Sequence, residues 1–258
     1  TAYLARSAQE LSELASVIGK KADAEKYAQI AARVRAIYDK YFISEDGVIE
    51  KGHQAAYVRA LAFDLVSSEK RPKVLAQLLH EIKQADDHLN TGFLSTPYLL
   101  HVLAENGCEE LAYRLLLQKS KPSWLASVVA GATTIPESWD GFFEYKDSLN
   151  HYSYGAVCGF LFAKTAGISP LMSAPGYRQF VLHPIAGPLT SAEAEYECPF
   201  GIIRSAWEKK GDKFVYRCSV PVGTRARLIL PDGEEHLLGS GEYVFTCVFC
   251  KKKGENHV

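Results

Sequence analysis

The chain lacks the features that would place it in several broad classes. Its formal net charge is -1, with 29 basic and 30 acidic residues, so no electrostatic field draws it to nucleic acid or an anionic membrane. No apolar run approaches the roughly 20 residues of a spanning helix, and Lys and Arg interrupt every long apolar segment. A membrane partner is therefore not expected. The chain has neither an initiating Met nor a charged and apolar leader, and it opens inside a helical pattern, which reads as a fragment of something longer.

Cysteine patterning is also missing. Cys108, Cys158, Cys198, Cys218, Cys247 and Cys250 are scattered, which fits reduced cytoplasmic thiols better than a disulfide framework. Cys247 and Cys250 form a CxxC, but a zinc site needs further ligands and only His257 lies nearby. No metal is expected. The pair reads instead as part of a terminal strand, EYVFTCVFC.

Hydrophobic residues make up 47% of the chain, enough for an ordinary core in one large domain or two. A first helix carries Leu4, Ala8, Leu11, Leu14 and Ile18 at helical spacing, and Gly19 ends it. One-faced helices follow from about 23, 68 and 108, alternating with helices apolar on nearly all sides at 54–66, 98–106 and 151–166. An inner ring wrapped by an outer ring requires that alternation. It predicts an α/α toroid of hairpins, with about seven helices; an ordinary helical bundle is the alternative.

Beyond a linker at 170–175 the period changes from 3.6 to 2. Turn signals recur at 209–213 (KKGDK), 221–224 (PVGT), 231–235 (PDGEE) and 239–242 (GSGE). Short strands so spaced predict an antiparallel β-sandwich. The expected organisation is a helical domain at 1–169, a β-sandwich at 170–250 and a charged tail at 251–258.

The stretch GATTIPESWDGFFEYKDSLNHYSYG (131–155) carries the candidate chemistry. Counted back to Ser120, it reads as a loop of about 28 residues, past the usual ceiling of about 12 to 15 for an unstructured connection. Its aromatic content argues against disorder. In a two-ring toroid the outer-to-inner connections, here about 43–53, 86–96 and 120–150, emerge at one end. They would bring His53 and Gln54, then Asp86, Asp87, His88, Asn90, Thr91 and Phe93, to one mouth with the long loop.

Glu137, between Pro136 and the nearby Trp139, is the candidate for proton transfer. Asp140, Glu144 and Asp147 are rival carboxylates that could equally be solvated. Trp124 and Trp139 are candidate sugar platforms or core residues. His151, beside Asn150 at a helix start, could contact a substrate hydroxyl or cap the helix.

The segments HLNTGFLSTPYLLHVLAENG (88–107), PSW (122–124), GATTIPESWDG (131–141), SLNHYSYGAV (148–157) and PGYRQFVLHPIAG (175–187) resemble the C-terminal half of bacterial α-L-rhamnosidases of glycoside hydrolase family 78. The resemblance implies an (α/α)6 barrel followed by a C-terminal β-sandwich, and inverting hydrolysis of terminal α-L-rhamnose without a cofactor. It makes Glu137 the general base, in the position of the glutamate of the family's TTxWExW motif, with Pro136 where the family has Trp. His151 matches the family's sugar-contacting His, at a shorter gap from the base. Trp124 and Trp139 match aromatic positions, and Asp140 and Asn150 join them as substrate-binding candidates.

The family's general acid is an Asp in the N-terminal half of the barrel, which the resemblance places outside this chain. Little hydrolysis is then expected from the chain alone. The implied partners are a rhamnose-containing glycoside and either the missing N-terminal half or a second copy. Two other readings are a non-catalytic sugar-binding or partner-docking module, and a toroidal glycosidase for another sugar.

Overall fold

A computed structural model describes residues 1–49, 52–171 and 173–249. The chain divides into two compact units, Thr1–Gly155 and Ala156–Val258.

The first unit is helical. Three antiparallel pairs follow one another: α1 (Ala2–Val17) with α2 (Lys21–Phe42), α3 (Gln54–Ala62) with α4 (Arg71–Gln84), and α5 (Thr96–Glu105) with α6 (Glu109–Leu116). α3 buries Gln54, Ala55, Tyr57, Val58, Ala60 and Leu61, and α5 buries Thr96, Leu99, Leu100, Val102, Leu103 and Ala104. α4 buries only the stripe Val74, Leu78 and Ile82, as expected for an outer helix. α3 also packs on α5, and α5 on the start of α9, so the all-round apolar helices form the inner layer.

Three sequence expectations change. The long loop holds α7 (Trp124–Val129) and α8 (Gly141–Glu144), and the expected helix at 151–166 is split. It becomes α9 (Tyr152–Gly155), α10 (Val157–Phe160) and a π-helical turn, Leu161–Thr165, so among the described residues there are more helices than seven. Periodicity cannot see such breaks, because a change in backbone pitch leaves the apolar content untouched. Around α1 only Ala8 of the expected stripe is buried, together with Ala5 and Ala15, while Leu4, Leu11, Leu14 and the C-cap Ile18 are exposed.

The second unit begins before the expected boundary at 169. Residues 164–167 are bound to its strands: Trp207 Nε1 donates to the Thr165 carbonyl at 2.8 Å, Ser205 Oγ to that of Ala166 at 2.6 Å, and the His183 N–H to that of Gly167 at 2.8 Å. Two four-stranded sheets follow. One has the order β1 (Ile168–Pro170), β2 (Gln179–Leu182), β6 (Arg225–Ile229), β7 (Glu235–Leu238); the other runs β3 (Ser191–Cys198), β4 (Gly201–Lys210), β5 (Lys213–Val220), β8 (Gly241–Val248).

Phe180, Leu182 and Leu228 of the first sheet share one core with Ile203, Trp207, Phe214 and Tyr216 of the second. That is a sandwich. All four predicted turns fall between strands, but β2 and β6 pair in parallel, so the sheets are not wholly antiparallel. Alternation sets which face is buried and is blind to strand direction. Cys247 is a buried residue of β8 opposite Phe214, while Cys250 and the charged tail lie outside the described residues.

Candidate active site

The long segment is folded back on itself. The Glu137 N–H donates to the Ser148 carbonyl at 2.8 Å, the His151 N–H to that of Ile135 at 2.9 Å, and Thr134 Oγ1 to that of Leu149 at 2.6 Å. Residues 134–138 and 147–151 therefore clasp each other, and the excursion between them carries α8. Within it Ser138 Oγ donates to Asp147 Oδ2 at 2.8 Å, and the Lys146 N–H closes onto the Gly141 carbonyl at 3.1 Å. Gly141 is buried there. A Cβ at that position would lie 3.0 Å from the Lys146 carbonyl oxygen and 3.2 Å from Ser138 Oγ.

Glu137 sits at the clasp. The Ser148 N–H donates to its Oε2 at 3.2 Å, and Oε1 has no protein partner among the described residues. One oxygen is thus anchored and the other is open. Pro136 beside it is buried, which fixes the backbone on the N-terminal side.

The aromatic residues are arranged in depth. Trp139 lies flat against Tyr154, ring centroids 3.9 Å apart at 8°, and Trp124 meets Trp139 edge-on at 5.5 Å. Trp124 is 4% exposed, and its indole N–H donates to the Tyr154 carbonyl at 3.0 Å. Trp124 therefore lies beneath Trp139, its ring buried rather than open to a ligand. Trp139 itself is half-buried, with an indole N–H that is buried and unpaired among the described residues. Burial raises the Tyr154 hydroxyl above its usual range, so the ring stays neutral.

His151 caps α9. Its Nδ1 accepts the Ser153 N–H at 3.2 Å, which places the proton of the neutral ring on Nε2. The imidazole packs against Phe93 at 5.1 Å and Tyr152 at 4.8 Å. Asn150 is exposed, its N–H donating to Ser148 Oγ at 3.3 Å.

Asp140 is committed to Lys121, whose Nζ donates to Oδ1 at 2.7 Å. That hydrogen bond and the charge of Lys121 hold the Asp140 carboxyl below its ordinary range. Lys121 also stands 4.6 Å from the centre of the Phe143 ring, so one cation ties down the tip. Of the rival carboxylates, Glu144 pairs with Lys146 at 2.7 Å and Asp147 with Ser138.

The connections meet as the toroid reading requires. Buried Gln54 accepts the Asn90 N–H at 2.7 Å and donates to the His88 carbonyl at 3.0 Å, joining the first connection to the second. His88 Nδ1 donates to the Asp86 carbonyl, so Nε2 accepts the Ser120 hydroxyl at 2.8 Å. Ser153 Oγ donates to the Phe93 carbonyl at 2.9 Å. Asp87 is drawn away by Arg114 at 2.7 Å, and His53 is exposed without a capping bond.

Sequence reasoning missed Ser148, Lys121 and Tyr154, which hold the carboxylate, the tip and the indole. Ser148 acts through its backbone and carries no side-chain signal. Among the described residues no group of His, Cys, Asp and Glu is arranged to hold a metal.

Residues 1–165 match the family described as the bacterial alpha-L-rhamnosidase 6 hairpin glycosidase domain, and residues 167–245 match the bacterial alpha-L-rhamnosidase C-terminal domain. The chain belongs to the bacterial α-L-rhamnosidase family. It is 39% identical to an α-L-rhamnosidase of Formosa agariphila over 92% of this chain, and 38% identical to one of Streptomyces avermitilis over 90%.

These matches span 26% and 23% of the relatives' own lengths, so this rhamnosidase-family chain corresponds to about a quarter of each. The crystal structure of the Streptomyces avermitilis α-L-rhamnosidase complexed with L-rhamnose superposes with a TM-score of 0.90 at 35% identity, over 95% of this chain and 26% of that one. The enzyme of Aspergillus terreus gives 0.90 at 31% identity, over 96% and 30%. The helical unit followed by a β-sandwich is thus the rhamnosidase arrangement.

Proposed function

We propose that this chain supplies the base side of an inverting α-L-rhamnosidase site, with Glu137 as the group that activates water. The observation that carries this reading is the Glu137 carboxylate, pinned at Oε2 by a backbone N–H with Oε1 open. A general base needs that arrangement, because a fixed carboxylate presents one lone pair to water at constant geometry. Trp139 stacks on the sugar with the face not covered by Tyr154, and His151 donates from Nε2 to a hydroxyl. Asn150 lies within the clasp and adds a polar contact, while Asp140, held by Lys121, acts through the loop. Trp124 supports Trp139 from below.

An inverting glycosidase also needs a general acid whose carboxyl stands roughly 6.5 to 9.5 Å from the base, leaving room for water. In this reading the acid comes from a segment outside residues 1–258. The chain alone then binds sugar weakly and turns over little. Release of nitrophenol from p-nitrophenyl α-L-rhamnoside tests it, alongside the corresponding glucoside and mannoside. No release above buffer by the chain alone is expected. In a chimera in which the chain replaces the matching segment of the Streptomyces avermitilis enzyme, rhamnoside cleavage should return, with β-L-rhamnose as the first-formed anomer by NMR. Robust turnover by the isolated chain, abolished by Glu137→Gln, would place the acid within it and defeat this assignment.

A further inference from the structure

A polar crevice of about 330 Å³ opens between the first two helix pairs and shares no residue with the Glu137 clasp. Arg6, Gln9 and Glu13 line it from α1, Arg35 from α2, and Phe63 and Asp64 from the turn after α3. Spacings of three and four residues put the three α1 side chains on one face of that helix.

The polar groups of the crevice are only partly engaged. Arg35 Nη1 donates to Gln9 Oε1 at 3.3 Å and Gln9 Nε2 to Glu13 Oε1 at 2.8 Å, a relay that occupies both ends of the Gln9 amide. Arg35 Nε is buried and has no partner among the described residues. A buried donor without an acceptor is costly to maintain. Arg6 donates from Nε to Glu10 at 2.6 Å and lies over the Phe63 ring, 5.9 Å from its centre, which leaves its terminal nitrogens for another acceptor. On the acid side, Glu13 Oε2 has no donor among the described residues, and Asp64 meets Arg71 only at 3.7 Å, beyond hydrogen-bond reach.

We propose that this crevice binds a neutral polyhydroxylated ligand of monosaccharide size, with Arg6 and Arg35 donating to its oxygens and Glu13 and Asp64 accepting from its hydroxyls. Open donors and open acceptors stand side by side here. A hydroxyl answers both, because it accepts from a guanidinium while donating to a carboxylate. Two cations and two anions line the space, so a free anion or a free cation meets like charge as well as opposite charge. Size points the same way. The volume is many times the roughly 30 Å³ of one water and stands at the small end of ligand pockets, which run from about 300 to 1,000 Å³. Phe63 is 2% exposed beneath Arg6, so hydrogen bonds rather than ring stacking carry the recognition. Binding here does not depend on the role of Glu137.

The test titrates the isotope-labelled chain with L-rhamnose and, separately, D-glucose while the arginine Nε–H signals are followed by NMR. The Arg35 signal is assigned by its loss in Arg35→Lys, or by nuclear Overhauser contacts to Gln9 if that variant does not fold. Either sugar should shift this signal saturably in the millimolar range, as expected for so small a ligand. Glu13→Ala and Asp64→Ala alter exposed side chains, so the fold should persist while sugar affinity falls about tenfold or more, the size of a lost hydrogen bond to a charged group. Glu137→Gln should leave the shift unchanged, which separates this crevice from the clasp.

Acetate, inorganic phosphate and glycine serve as the charged comparisons and should give no saturable shift at the same concentrations. An Arg35 signal that neither sugar moves would mean that water alone fills the crevice, and would overturn the proposal. Tighter binding of acetate, phosphate or glycine than of either sugar would overturn it in favour of a charged ligand. So would a sugar-induced shift that survives both acid substitutions unchanged, or one that disappears in Glu137→Gln.

Discussion

Ser148 holds Glu137 twice, its carbonyl accepting the Glu137 N–H at 2.8 Å and its own N–H reaching the Glu137 carboxylate at 3.2 Å. Both contacts come from the Ser148 main chain. The carboxylate is thus oriented by the same clasp that closes the loop, and its geometry does not depend on the identity of the side chain opposite.

This leads to a pair of contrasting substitutions in the chimera. Ser148→Ala removes only the Oγ contacts with Asn150 and should change kcat/KM by less than about tenfold, since a neutral hydrogen bond contributes about 1 kcal/mol. Glu137→Gln should lower kcat by about 10² to 10⁴. Comparable losses in the two variants would show that the serine hydroxyl, not the clasp, orients the base.

The Lys121–Asp140 pair predicts a pH effect of defined sign. The folded-state pKa of Asp140 lies below its usual value, first through the hydrogen bond from Lys121 and then through that cation's charge. The pair's contribution is present above the unfolded Asp value of about 3.9 and is lost as pH falls through the lower folded value. Lys121→Gln should move the Asp140 titration upward in a carboxyl NMR experiment. It should also make the loop less ordered at neutral pH, an effect that moderate salt mimics because both groups are solvent-facing. An unchanged titration curve would dissociate Asp140 from Lys121.

Gln54 is the buried joint between two connections at the mouth. Gln54→Leu leaves the Asn90 N–H and the His88 carbonyl without their partner, at a cost of about 1 to 3 kcal/mol for an unsatisfied buried group. The measurement is denaturant unfolding of the isolated chain combined with hydrogen exchange over 86–96. Faster exchange there should accompany the lower midpoint, whereas a uniform acceleration would mean that the loss is global.

In the β-sandwich, Trp207→Phe removes the indole donor from the Thr165 carbonyl and shrinks a buried ring. The unit should lose about 1 kcal/mol for the lost hydrogen bond, with a further loss from the smaller buried ring. Thermal unfolding followed by near-ultraviolet circular dichroism reads this directly, and an unchanged midpoint would show that the tie between residues 164–167 and the strands is dispensable.

How far residues alone reveal this molecule can be judged from particular elements. Helices α3 and α5 were legible because side chains buried on all sides must be apolar on all sides. The β-sandwich was legible from alternation and from the turns at Gly211, Gly223 and Gly233, whose positive φ angles of 65°, 79° and 91° suit glycine. Glu137 was singled out from Pro136, Trp139 and the motif around them, and its role as base is the proposal made above. Its anchor was not, because Ser148 contributes main-chain atoms eleven residues away, and main-chain donors are the same in every sequence.

The α1 helix marks the other limit. Its period announces an amphipathic helix, and the leucines are the natural inward face. In the folded chain close approach to α2 selects the alanines, since small side chains let two helices come together, and the leucines are left exposed.

Local composition and period determined the helical and β units, the inner and outer helices, the turn positions and the residues from which a sugar site could be built. Only the tertiary structure decided that the long loop is a clasped and capped excursion, that Trp124 lies beneath Trp139, that β2 and β6 run in parallel, and that α1 shows leucine to water. The division has one physical cause. Burial pattern and turn chemistry are written in side chains close together in sequence, whereas clasp, stacking and strand direction depend on atoms brought together from distant segments.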